Sequence, residues 1–226
     1  MNLILVDNKE VKGGEVILTD YSHIHIRDIL KPKIGQILKV GIIDGKIGVG
    51  EVITQTSKET VLKIDTNKLP PRPLDICLVC SLPRPKTLKK VIYKATSLGV
   101  KEIHFINSAK VEKEYWGFKK SKFDQTILDA LSQSVDTVLP KISYHRLFRP
   151  FVEDILPSLI KDKIVFAHPG GLIPSKAKHT VLIIGPEGGF NAFEISLLSK
   201  IAQKITLGKR ILRVEDAILT AIGMLS

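Results

Sequence analysis

Cysteine is scarce in this chain. Only Cys77 and Cys80 occur in 226 residues, both inside the apolar run ICLVC, which excludes a disulfide-built scaffold. A C-x-x-C pair can bind metal or act as a redox couple. No second pair and no histidine at ligand spacing follows it, however, and in an extended strand the two side chains face opposite ways. Buried, reduced thiols and no metal are expected. The pair His23 and His25 also lacks a third ligand and reads as surface or packing. Aromatic residues are few, at 6% with one Trp. No stretch approaches the roughly 20 apolar residues of a membrane span. The opening MNLILVDNKE mixes acids and bases without a long apolar core, which argues against a secretory signal, so the cytoplasm is the expected compartment. Low-complexity runs and internal repeats are lacking too. What remains, 44% hydrophobic and 25% charged residues, is the composition of a folded protein of one or two domains.

Acidic residues are outnumbered, 23 against 34 basic ones, for a formal net charge of +11. The excess is local. Up to Arg72 there are 11 basic and 9 acidic residues, whereas Pro83 to Lys122 holds 11 basic and only 3 acidic. Such a segment is the electrostatic footprint of a phosphate-rich partner, because neutralising phosphates releases condensed counterions. A solvated helix face plus a loop is the plainer alternative, and charge alone leaves both open.

The grammar of the chain changes near residue 70. Before it the pattern is strand-like: QILKVGII, the hairpin signal Asp44-Gly45, KIGVGEVITQT and ETVLKI. Ser22 is a candidate cap for a short helix HIHIRDIL that ends before Lys31-Pro32. The string KLPPRP then reads as a stiff linker. Beyond it strands and helices alternate. ICLVC, EIHFI, KIVFAH, TVLIIG and KITLG are short apolar strands suited to a parallel sheet covered on both faces. Leu88, Val91, Ile92, Ala95 and Leu98 have helical spacing that Gly99 ends; Phe123, Ile127, Leu128, Leu131, Val135 and Val138 mark a longer helix, and Phe151 to Ile160 another. Asn191 with Glu194 is a capping-box start for EISLLSKIA, and AILTAIGML is the last helix.

The segment with most chemical promise is TVLIIGPEGGF, where a strand runs into Gly185, Pro186, Glu187, Gly188 and Gly189 just before a capped helix. Ligands of open α/β sheets gather at the carboxyl ends of strands, and glycines let backbone approach them closely. The segment lacks the Lys-Ser/Thr of a phosphate loop and the spacing of a dinucleotide turn, so on its own it is either a ligand loop or a tight turn. Two further strand ends stand beside it in the pattern: His168, Pro169, Gly170 and Gly171 after KIVFA, and Gly208 with Lys209, Arg210 and Arg213 after KITL. Three loops of one sheet can enclose one ligand. Glu215 and Asp216 suit a helix N-terminus, which does not account for the arginines.

At these residues the sequence resembles the ribosomal RNA small subunit methyltransferase E family, SPOUT-class enzymes that methylate N3 of a uridine in 16S ribosomal RNA. IGPEGGF at 184 to 190 and LGKRILRVE at 207 to 215 match its two signature segments in order and spacing; PRPK, VEKEYW, QSVDTVLP, FRPFVED and AHPG extend the likeness over essentially the whole chain. The resemblance implies an α/β fold: a PUA-like β-barrel over residues 1–70 that binds RNA, then a SPOUT methyltransferase domain over 71–226 with a parallel sheet and a C-terminal trefoil knot, paired as a homodimer. It also implies S-adenosylmethionine as cofactor, held by His168, Pro169 and Gly170, by Ile184 through Gly189, and by Leu207, Gly208, Ile211, Leu212 and Arg213. The sequence departs from the family at Asp216, where threonine is usual, at Lys209, where proline is common, and at Lys31, which replaces an arginine and loses its bidentate fork.

On that resemblance the catalytic candidates are Arg213 or Arg210, to stabilise the uracil anion, and Glu187, as base or as loop-holder. Arg84, Lys86, Lys89 and Lys90, with Arg27 assisting, would contact phosphates of 16S ribosomal RNA or the small ribosomal subunit. Tyr115 and Trp116 are either stacking platforms for a splayed base or local packing. Two rivals remain: a related methyltransferase acting on transfer RNA or a ribose 2′-hydroxyl, and a non-catalytic RNA-binding module, with intact glycines against the latter.

Overall fold

The computed structural model describes residues 2–159, 162–176 and 178–226, which form two compact units, each with its own sheet. The first unit takes residues 1–72 together with 128–139, and the second takes 73–127 and 140–226.

In the first unit a six-stranded sheet runs in the order β1-β4-β5-β6-β3-β2. Its strands are β1 (Ile4–Val6), β2 (Val11–Lys12), β3 (Glu15–Leu18), β4 (Ile37–Ile42), β5 (Ile47–Gln55) and β6 (Thr60–Lys68). Only β1 and β4 pair in parallel. The β4–β5 hairpin turns at Asp44 and Gly45, as the dipeptide predicts, with Asp44 at φ 55°. Ile4, Val6, Val16, Leu18, Ile26, Val40, Val52 and Leu62 make the core. The helix α1 (Tyr21–His25) is capped by Asp20, whose carboxylate accepts the Ser22 N–H, so the expected cap at Ser22 is displaced by two residues. The chain then widens into a π-helical turn, Ile26–Leu30, closed by Lys31 in the left-handed conformation. His23 is buried, with Nδ1 2.9 Å from Thr60 Oγ1, a packing role.

The second unit holds a wholly parallel sheet in the order β12-β10-β11-β7-β8-β9. Its strands are β7 (Ile76–Ser81), β8 (Glu102–Ile106), β9 (Lys141–His145), β10 (Lys163–Leu172), β11 (Thr180–Ile184) and β12 (Gln203–Ile205). Side chains alternate between two cores, which explains the continuous apolar runs. Leu78, Cys80, Ile103, Phe105, Val165 and Leu182 pack on one face under α2 (Pro85–Ser97) and α7 (Val214–Leu225). Val79, Ile106, Phe166 and Ile183 pack on the other face, beside α6 (Ala192–Leu198) and the helical turns α4 (Phe148–Pro150), Phe151–Ile155 and α5 (Leu156–Leu159). Ile160, the expected end of that last run, lies outside the described residues. Cys77 and Cys80 do face opposite ways, but only Cys80 is fully buried; Cys77 is half-exposed.

Two helix expectations need adjustment. Leu98 is 41% exposed and caps α2 instead of packing, because Gly99 already turns away at φ 86°. The longer helix, α3 (Asp124–Ser134), stops where Val135 takes φ 57°, so Val138 lies beyond it. Asp136 closes that turn by accepting the amides of Thr137 and Val138. Among the described residues no helix is long and apolar enough to cross a membrane.

Candidate functional site

Two of the three segments singled out by sequence are loops that follow β11 and β12. The third, His168 to Gly171, expected after a strand ending at Ala167, lies within β10, which runs on to Leu172 through a register shift against β12; the three strands are neighbours in the sheet. Together the three segments line one cavity of about 390 Å3. His168 and Pro169 come from the outer part of β10, Ile184 through Gly189 from the end of β11 and its loop, and Leu207, Gly208, Arg210, Ile211 and Leu212 from the loop after β12. Gly189 and Gly208 turn at φ 70° and 115°, a region that side-chain-bearing residues rarely occupy. Sequence reasoning missed Ala167, Phe190, Thr206, Val214 and Ala217 as lining, and named Lys209 without placing it in the cofactor set. Phe190 and Thr206 adjoin predicted glycines, so their position was the available signal.

Two expected members stand outside. Gly170 follows the lining residues along β10, and Arg213 is exposed at the N-cap of α7. Arg210 is exposed as well but lines the cavity, which makes it the arginine at the site.

The glycine loop is held from several sides. Glu187 Oε1 accepts the Arg84 backbone N–H at 3.2 Å, and Lys110 Nζ donates to the Gly188 carbonyl at 2.7 Å. The predicted capping box is complete: Asn191 Oδ1 accepts the Glu194 N–H at 2.8 Å and Glu194 Oε2 accepts the Asn191 N–H at 2.9 Å. Glu194 does more than cap. Buried, it also accepts the Ala109 N–H at 2.7 Å, joining α6 to the segment after β8. In the outer part of β10 the His168 Nδ1–H donates to the Pro169 carbonyl at 2.7 Å.

Behind the third loop, α7 is tied to α2. Lys90 Nζ lies 3.1 Å from Glu215 Oε1, and Lys94 Nζ 3.3 Å from Asp216 Oδ1. Burial pushes the Glu215 carboxyl up, but its own backbone amide and Lys90 outweigh that and hold it below the usual carboxylate range. Asp216 thus has a partner of its own in place of the family threonine.

The basic residues divide. Arg84, Lys86 and Lys89 are exposed, and Lys86 and Lys89 share a groove along α2 with Tyr93 and the ion-paired Lys90 and Lys94. Arg27 is engaged in the first unit, with Nε 2.6 Å from Asp28 Oδ1 and a bond from Nη1 to the Ser57 carbonyl. Trp116 donates Nε1–H to Asn107 Oδ1 at 3.1 Å under the Arg146 guanidinium, and Tyr115 packs on the core; both have the local packing role.

Comparison with known proteins adds names to this geometry. The family model for the RNA methyltransferase domain matches residues 70–226. Ribosomal RNA small subunit methyltransferase E of Mesomycoplasma hyopneumoniae (strain 232) is 34% identical over 165 residues, covering 70% of this chain and 71% of the relative. Its namesake from Treponema pallidum (strain Nichols) is 27% identical over 234 residues, 96% of this chain and 87% of the relative. Among solved structures, ribosomal RNA small subunit methyltransferase E from Neisseria gonorrhoeae bound to S-adenosyl methionine shares the fold at a TM-score of 0.77, with 22% identity over 97% of this chain and 95% of that one.

Proposed function

Because the chain belongs to the ribosomal RNA small subunit methyltransferase E family, we propose that it transfers a methyl group from S-adenosylmethionine to N3 of a uridine in 16S ribosomal RNA. The observation that carries this reading is the cavity between the carboxyl ends of β11 and β12 and the outer part of β10, built largely from the two segments that match the family signatures. Its volume of about 390 Å3 falls within the roughly 300–1,000 Å3 of small-molecule sites. The residues fit the cofactor: Ile184, Phe190, Leu207 and Leu212 offer apolar surface to an adenine ring, and the glycine backbone offers amides and carbonyls to its polar edges and tail.

When bound, S-adenosylmethionine supplies a methyl group on an electron-poor sulfonium sulfur. The uracil N3 holds a proton and is a poor nucleophile until that proton passes to solvent water. Arg210 stabilises the resulting anion from the cavity wall, and Arg213, at the N-cap of α7, stands second in line for that role. Glu187 serves as loop-holder through its bond from the Arg84 amide. Arg84, Lys86 and Lys89 lead the RNA phosphates past the cavity, Lys90 adds its charge while paired with Glu215, and Arg27 assists by exchanging Asp28 for a phosphate. The target base leaves its stack to bring N3 to the methyl group.

The same reading assigns residues 1–70 to a PUA-like β-barrel, 71–226 to a SPOUT domain with a C-terminal trefoil knot, and the working form to a cytoplasmic homodimer. The deciding experiment offers small ribosomal subunits and transfer RNA with labelled cofactor and maps the modified nucleotide. Label at N3 of one small-subunit uridine is expected; label at a ribose, or only in transfer RNA, overturns the assignment. Titration calorimetry that detects no S-adenosylmethionine binding at millimolar concentration would sink the enzyme reading altogether.

A further inference from the structure

We propose that Cys77, Glu102 and His104 form a zinc-binding site at the amino-terminal end of the parallel sheet, at the opposite ends of the strands from the cofactor cavity. The sequence hides this site because its members come from two strands. Parallel pairing sets Cys77 beside Glu102, and His104 lies two residues further along β8, so the period of two puts all three side chains on one face. Their sulfur, carboxylate oxygen and imidazole nitrogen lie within 4.8 Å of one another. Thiolate, carboxylate and imidazole are the donors zinc takes, and on a tetrahedral ion such atoms stand roughly 3.3–3.8 Å apart. Movement of about 1 Å, within reach of side-chain rotation, closes the triangle.

The surroundings suit a metal. Without metal, His104 Nε2–H donates to Glu102 Oε1 at 3.2 Å; with zinc bound, the proton would move to Nδ1, which lies 3.0 Å from His145 Nε2 and would donate to it, freeing the Nε2 lone pair for the ion. A hydrogen-bond partner on the second nitrogen is the usual support of a metal-bound imidazole. At present Glu102 Oε1 stands 3.2 Å from Nε2; zinc would replace that contact with two bonds. A cavity of about 160 Å3, lined by Cys77 and Glu102 together with Asp75 and His179, gives an entry path and room for water in the fourth position. Cys80, buried on the opposite face, does not compete.

The test titrates the full-length protein with cobalt(II) and then zinc. One cobalt per chain with a thiolate-to-cobalt charge-transfer band, displaced by zinc, is expected. Cys77→Ser removes the band and weakens zinc by at least about tenfold, whereas Cys80→Ala keeps both. Zinc raises the Tm of the unaltered protein and not that of Cys77→Ser. If Cys77→Ser folds poorly, Glu102→Gln carries the same expectation for affinity. Absence of the band, or a band undiminished in Cys77→Ser, overturns the site. Because S-adenosylmethionine affinity is read separately, either outcome leaves the methyltransferase reading untouched.

Discussion

The two walls of the cavity proposed for the cofactor are built in opposite ways. Residues 185–189 are clamped by the Arg84 amide, by Lys110 and by the capping box that follows. Residues 207–211 carry little beyond a turn in which the Gly208 N–H donates to Thr206 Oγ1, and Ile211 is 85% exposed. Their anchor lies further on, in the ion pairs of Glu215 and Asp216 with α2. A fixed wall offers dipoles that need no reorganisation when a ligand arrives, whereas an exposed wall can present cations to a second, larger substrate. On the proposed function, the contrast places cofactor affinity on the clamped side and substrate chemistry on the open one.

The sharpest way to break that division is Arg210→Ala. Loss of one preorganised donor to a developing anion costs about 10²-fold in kcat, and the open-wall assignment expects this with S-adenosylmethionine affinity within about twofold. Steady-state kinetics beside calorimetry separates the two; a larger loss in Arg213→Ala than in Arg210→Ala would reverse their order. On the clamped side, Gly188→Val lowers cofactor affinity at least about tenfold, or 1.4 kcal/mol. A Cβ at position 188 stands 2.9 Å from Lys110 Cδ, so the new side chain either displaces the lysine that holds the loop or fills the cavity. Unchanged affinity would remove the clamped wall from the cofactor site. Smaller again is Lys89→Ala, which weakens RNA binding by a few fold and reduces the slope of log affinity against log salt by about 1; Lys90→Ala should instead lower Tm, because its partner Glu215 is buried.

How much of this was legible depended on whether the determining contact is local in sequence. The capping box at Asn191 and Glu194, the hairpin at Asp44-Gly45 and the apolar strand cores are set within a few residues and formed as the pattern predicts, although β10 runs on to Leu172 through the glycines expected to end it. The three loops could be grouped because glycines mark strand ends in an α/β chain. What stayed hidden was carried by long-range pairing. Nothing near Glu194 announces its bond to Ala109, nothing near Asp216 announces Lys94, and Cys77 meets Glu102 only through sheet register. Helix ends failed for another reason: Val135 and Leu98 have core-type side chains, but a left-handed φ at Val135 and at Gly99 ends the period before the spacing does.

The smallest effects lie in the anchor of the open wall, and they separate its two acids. Glu215 is buried against Lys90 and its carboxyl is held low, so its folded pKa is below the unfolded one. The stabilisation is therefore present above the ordinary glutamate range, about pH 4.3, and disappears as pH falls through the lower folded value. The Tm gap between the unaltered protein and Glu215→Gln should be widest near neutrality and close in acid; a gap that widens in acid would reverse the sign. Asp216, half-exposed with Lys94, belongs to the class of surface pairs worth about 0–1 kcal/mol. Asp216→Thr, which restores the family residue, should accordingly move Tm by no more than a few degrees and leave both kcat and cofactor affinity within about twofold. Because Val214 and Ala217 line the cavity while Asp216 turns toward α2, the acid can replace threonine without entering the site. A gain of activity in Asp216→Thr by a factor of ten or more would mean that this position acts on the cavity itself, and the open wall would then be held for catalysis and not merely anchored for stability.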